Sequence, residues 1–157
     1  MSPSPSLIRR LETGLDPLSG LLAGASPEQL RQRPPSGKWS AHENLAHLAH
    51  FTAVTLGRLE RILTEESPRL ERLRSDEDPV FLELSARSTE AVVTELQKLR
   101  TDLLNRVRGL GDAELARVGV HGAAGPMPLS QWLELYAVHE AHHLYLAFWA
   151  VRQVMNA

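Results

Sequence analysis

Two short stretches hold the residue types able to bind a metal ion: Val138-His139-Glu140-Ala141-His142-His143 near the C-terminus, and Ala46-His47-Leu48-Ala49-His50 nearly a hundred residues earlier. His139 and His143 are four residues apart in a segment of helical periodicity, so at roughly 100° per residue their imidazoles share one face. A metal centre that keeps an open position for chemistry takes three protein ligands, and the third has to come from another element. Five of the seven histidines fall in these two stretches, each inside an apolar helical pattern. Scattered surface histidines would not segregate that way.

A lone histidine on a helix face is more often a core residue satisfied by a neighbour than a ligand. Pairing shifts that balance. His139 and His143 share their face with Trp132 and Tyr136, which points it inward, and burying two imidazoles without a common partner is unfavourable. His47 lies on the apolar stripe of its own helix with Phe51 and Val54. The expected site is therefore one divalent ion on His47, His139 and His143, with His50 and Tyr136 as candidates for the pocket wall. His50 reads first as a pocket-lining base, next as a support for a ligand, and last as a ligand itself. His42, in a first helical turn beside Glu43, is expected in solvent. His121 is expected at the surface of a glycine-rich loop. His142, turned about 100° from His143 toward Leu135, Val138, Tyr145 and Trp149, reads as structural or as part of an interface. No catalytic residue is assigned.

The same segment also spells His-Glu-x-x-His, the zinc-protease pattern in which the glutamate acts as base. That reading lacks a downstream ligand, because no His, Asp or Glu follows His143. Glu140 is expected beside the ligand face and not on it.

Helices must position these groups. Residues 1–6 read as a disordered tail and 7–155 as a single domain. Leu7 to Leu22 has helical spacing broken at Pro17. Ser26-Pro27-Glu28-Gln29 caps a brief turn, and Pro34-Pro35-Ser36-Gly37 forces a loop. Ser40-Ala41-His42-Glu43 is a capping box that starts a long second helix running to about Thr64. The charged stretch Ser67–Asp78 reads as a solvated turn, long enough if extended to let the second and third helices run parallel. A third helix is expected from Asp78-Pro79 to Gly109 or Gly111, with Phe81, Leu84, Ser88 and Val92 on its inner face. Val118–Gly122 and Gly125–Pro128 suggest a small hairpin, and a fourth helix spans about Leu129 to Val154.

Composition narrows the function classes. At 157 residues the chain is most simply one domain. A net charge of -2 and a pI near 6.4 argue against general nucleic-acid binding. The absence of cysteine excludes a disulfide scaffold, thiolate ligands and a cysteine nucleophile, so any metal must use nitrogen and oxygen. No signal-like or membrane-spanning run is present, which places the chain in the cytoplasm as an expectation.

Gly37-Lys38-Trp39-Ser40, a helix with His47 eight residues after the tryptophan, a histidine-free third helix and a last helix with His139-x-x-x-His143 together resemble the DinB-like (YfiT-type) family over nearly the whole chain. The resemblance implies an all-α, up-down-down-up four-helix bundle with a long crossover between helices two and three. It also implies a divalent metal, typically nickel or zinc, on His47, His139 and His143. Several characterised members are thiol S-transferases or thiol-dependent isomerases, so the implied activity joins a small electrophile to a low-molecular-weight thiol. The alternatives are a non-catalytic metal- or ligand-binding bundle in a stress response and, more remotely, a metal-dependent hydrolase. Members often carry a polar residue about three positions past the last histidine; here Leu146 departs from that pattern. Tyr145, Phe148 and Trp149 leave enough aromatic surface near the chain end for a homodimer.

Overall fold

The computed structural model describes residues 3–157. Residues 1 and 2 of the expected disordered tail lie outside the described residues, and the rest of that tail is corrected. Ser4 caps α1 (Pro5–Thr13) by accepting from the Leu7 amide at 3.0 Å, and Pro5 occupies a first-turn position that needs no amide donor. Pro17 breaks the pattern as expected, leaving the short α2 (Leu18–Leu21), and the Ser26/Gln29 box starts α3 (Pro27–Arg31). The Ser40/Glu43 box, closed by contacts of 3.1 and 2.8 Å, starts α4 (Ala41–Thr64), whose 24 residues extend about 36 Å.

The segment after α4 is more ordered than a solvated turn. It contains β1 (Arg69–Leu70) and a 3-10 turn at Ser75–Glu77, and it buries Leu70 and Ser75. The expected single third helix is two: α5 (Pro79–Ala86) and α6 (Thr89–Arg108). Ser88 was expected on the inner face of that helix, yet its side chain accepts from the Ala91 amide at 3.2 Å and so caps α6. After α7 (Asp112–Leu115), β2 (Val118–His121) and β3 (Gly125–Pro128) form the hairpin, turning at Gly125 with φ +77°. The sheet order is β1-β2-β3, with β1 parallel to β2 and β2 antiparallel to β3. A Cβ at Gly119 would meet Ile62 at 2.8 Å, so only glycine lets the hairpin press onto the end of α4. The chain closes with α8 (Leu129–Met155).

The core records the direction of each rod. Leu45, Leu48 and Ala49 of early α4 pack with Val92 and Leu96 of early α6, while Leu59 and Ile62 of late α4 pack with Leu103 and Val107 of late α6. The two helices are therefore parallel. Leu129 and Leu133 join the late-α4 cluster and Ala147 and Val151 join Ala41, so α8 runs antiparallel to α4. Leu7 and Leu11 sit with Leu103 and Val107, whereas Leu18 sits with Val92, which sets α1 against α6. This is the up-down-down-up four-helix bundle. No helix is long and apolar enough to cross a membrane among the described residues.

Candidate metal centre

The antiparallel packing of α4 on α8 places His47 opposite the His139/His143 pair. Ring centroids are separated by 4.3 Å (His47 to His143), 4.5 Å (His139 to His143) and 5.1 Å (His47 to His139). One nitrogen from each ring lies within 4.8 Å of the others, and the Nε2 atoms of His47 and His139 are 3.3 Å apart. Tetrahedral ligands at a metal–nitrogen distance near 2.0–2.1 Å stand about 3.3 Å from one another, so the pair already has ligand spacing.

The far nitrogens decide which atoms are free to bind. The Asn44 amide donates through Nδ2 to the Ser40 carbonyl at 2.9 Å, which leaves Oδ1 as the acceptor 2.9 Å from His143 Nδ1. His143 must donate there, and its lone pair is left on Nε2. His47 Nδ1 meets the Ser75 hydroxyl at 2.7 Å, which likewise turns its Nε2 inward. His139 has no such partner; its Nδ1 is buried and unpaired, and its ring is held by Phe51, stacked at 3.9 Å and 29°. Burial first, then neighbouring cationic groups, holds His47 and His143 near pKa 3 and His139 near 4. All three are neutral at physiological pH, the form that binds metal.

The centre lies at one end of a cavity of about 570 Å³. Phe51, Leu59, Ile62, Leu133 and the Tyr136 ring supply an apolar wall, and Trp132, His121, Arg58 and Arg72 line other parts. The lining includes no Asp or Glu among the described residues. Tyr136 is thus on the wall as expected, with its hydroxyl turned to Thr52 at 2.9 Å and Glu140 at 3.0 Å. Burial and the adjacent carboxylate push that phenol up.

Three expectations are corrected. His50 does not line the cavity; it is buried with Nε2 3.4 Å from Asp78, the residue that caps α5. His42 is not in solvent but buried, with Nε2 3.0 Å from the Ser85 carbonyl and Nδ1 2.9 Å from the Thr89 hydroxyl, because the α5–α6 junction folds over the first turn of α4. His121 is half-buried on the cavity wall, its Nδ1 accepting from the Ala123 and Ala124 amides at 3.1 and 3.0 Å, and its ring 5.3 Å from Trp132. His142 is exposed and meets His143 edge-on at 5.4 Å. Glu140 lies off the ligand face, buried in a two-bond ion pair with Arg100 at 2.7 and 3.0 Å. So engaged, it cannot serve as the base of a zinc-protease site.

The sequence reading assigns no site role to Asn44, Ser75, Arg58 or Arg72, and Trp39, read there as part of the family pattern, lines the cavity. Asn44 had a signal, since it precedes His47 by three and Phe51 by seven on one helical face. Arg58 has the same signal, seven residues after Phe51, whereas Ser75 and Arg72 come from the crossover segment, which no periodicity reports.

A three-histidine cleft between antiparallel helices of an up-down-down-up bundle defines a class of four-helix proteins with a candidate metal site. Residues 10–147 match the DinB superfamily, and the chain belongs to it. It is 28% identical over 135 residues to the uncharacterized protein YuaE of Bacillus subtilis (strain 168), covering 78% of this chain and 83% of YuaE. YfiT from Bacillus subtilis, described as a probable metal-dependent hydrolase with an unusual four-helix bundle topology, superposes with a TM-score of 0.80 at 22% identity over 96% of this chain and 86% of its own. The four-helix bundle protein TT2238 gives 0.64 at 27% identity, with 90% and 94% coverage. An uncharacterized protein from Clostridium difficile 630 gives 0.68 at 12%, with 96% and 94% coverage.

Proposed function

We propose that His47, His139 and His143 hold one divalent ion, nickel or zinc, and that the site joins a low-molecular-weight thiol to a small electrophile in the cytoplasm. A bound ion supplies Lewis acidity that lowers the pKa of a thiol or water placed on it. The chain itself orients three neutral imidazoles, excludes water with Phe51, Leu59 and Leu133, and presents the cavity to the second reactant.

The observation that carries the thiol reading is the lining. No carboxylate lines the cavity among the described residues, Glu140 being committed to Arg100, so a base-assisted hydrolysis has no acid residue to carry it. A thiol starts from a pKa of about 8.5 against about 15.7 for water, so the same ion yields its anion with less help. The lack of cysteine in the chain agrees, since the nucleophile is brought in.

Untagged protein should contain one equivalent of metal by elemental analysis, and His143→Ala should lose it. Metal-loaded protein should then conjugate an electrophile with bacillithiol, mycothiol or glutathione. Metal binding with no turnover on any of the three would favour the non-catalytic stress-response reading, and thiol-independent hydrolysis would favour the activity described for YfiT. A homodimer belongs to the same proposal. Leu135, Val138, Tyr145 and Trp149, four of the six large exposed hydrophobics, lie at heptad spacing on one face of α8.

A further inference from the structure

Arg58 and Arg72 line the cavity that holds the histidine triad, yet neither has a carboxylate partner among the described residues. Arg58 is half-buried on α4. Its Nη2 reaches the Glu71 carbonyl and its guanidinium carbon lies 5.8 Å from the centre of the Trp132 ring, both uncharged partners. Arg72 follows from the crossover segment and is exposed. By contrast, Arg10, Arg33, Arg61, Arg87, Arg100, Arg106 and Arg108 each pair with a Glu. A guanidinium held partly out of water without an anion is unfavourable, and burial accordingly pushes the pKa of Arg58 down. Glu71, Glu77 and Asp78 line the groove on the other side of the same two arginines, whereas no Asp or Glu lines this cavity among the described residues, so the cavity side is the one open to an anion.

The positions fix where that anion sits. Trp132, under Arg58, precedes His139 by seven residues on α8, about 10 Å along the helix axis. Between them the wall is apolar, formed by Leu133, Tyr136 and Phe51. We propose that the cavity takes a carboxylate-bearing molecule with an apolar body, its anionic end on Arg58 and Arg72 and its reactive end about 10 Å away at the histidine triad. This rests on the metal-centre reading only for the reactive end. The carboxylate belongs either to the thiol or to its electrophilic partner, and the chemistry of recognition is the same.

Calorimetry with octanoate and ω-mercaptooctanoate, each against its methyl ester, tests it. The acids should bind at least about 10-fold tighter than the esters, as expected for one charge-assisted pair. That preference should vanish in Arg58→Gln and shrink in Arg72→Ala, an exposed position where folding is not at stake. A preference seen with octanoate locates the anion site without a thiol; a further gain for the mercapto acid in metal-loaded protein alone assigns the carboxylate to the thiol. Metal-stripped protein is titrated in parallel, because a carboxylate also binds a divalent ion. An arginine-dependent preference that persists without metal upholds the anion site even if the metal reading fails. Equal binding of acid and ester, no binding of either at millimolar concentration, or a preference unchanged in the double variant would overturn it.

Discussion

Asn44 Oδ1 accepts a hydrogen bond from His143 Nδ1 at 2.9 Å, and the Asn44 amide is in turn oriented by the Ser40 carbonyl that begins α4. A helix start thereby fixes the tautomer of a ligand ninety-nine residues away. Asn44→Leu should lower metal affinity by about 10- to 100-fold through loss of this support. Chelator competition measures the effect. Unaltered affinity in a variant with wild-type melting would remove Asn44 from the site.

Metal should stabilise the fold through the triad alone. Free ion at about a hundred times its dissociation constant adds about 2.7 kcal/mol, a rise of roughly 5–10 °C in Tm for a chain of this size. His139→Ala should show no rise at the same ion concentration. Equal shifts in both proteins would place the binding elsewhere.

Acid should act on the metal-free fold in one direction. His47, His139 and His143 titrate near 3, 4 and 3 when folded, against 6.5 ordinarily. Below 6.5 the unfolded chain takes up protons that the folded chain refuses, so stability falls with pH through this window and has no slope from these groups above it. Each histidine contributes at most about 1.4 kcal/mol per pH unit. Urea midpoints of metal-free protein should be flat down to about 6.5 and then drop. Bound metal should persist to about pH 5, since protons compete with these imidazoles only near their low folded pKa values.

Arg100→Met alone should destabilise by about 3–5 kcal/mol, because it leaves Glu140 charged and buried. Replacing both partners with Met should recover most of the loss. Gly14 sits against the same pair: a Cβ there would lie 2.5 Å from Glu140 Oε1 and 2.7 Å from the Arg10 carbonyl, so Gly14→Ala should destabilise by about 1–3 kcal/mol. Denaturant titration checks all three. Metal stoichiometry should survive in each folded variant, because Glu140 is bound to Arg100 and is not one of the three imidazoles.

Local signals carried far in this chain. The Ser40/Glu43 box marks the start of α4, Pro27 and Pro79 mark those of α3 and α5, and the i, i+4 histidines mark the candidate ligands on α8. The failures have two causes. His42 reads as a surface residue until the α5–α6 junction covers it, and His50 reads as pocket wall until Asp78 claims it. Ser88 resembles a face residue because a capping serine at a helix break keeps the spacing of its neighbours. The two histidines turn on partners distant in sequence, which periodicity does not encode, and Ser88 on a local cap that periodicity does not distinguish from a face position.

The three-stranded ribbon gives the cleft two kinds of wall. Where the imidazoles meet, the groups stand on long packed rods and tolerate little change. At the opposite end, Arg72, Leu73, His121, Ala123 and Ala124 come from the crossover and the hairpin, stitched together by the Arg69–Val120 and Leu70–His121 pairs. Such connecting segments accept substitution far more readily than rods do. Evolution can therefore rewrite the shape of this cavity by editing a few connecting residues, leaving the histidine half untouched.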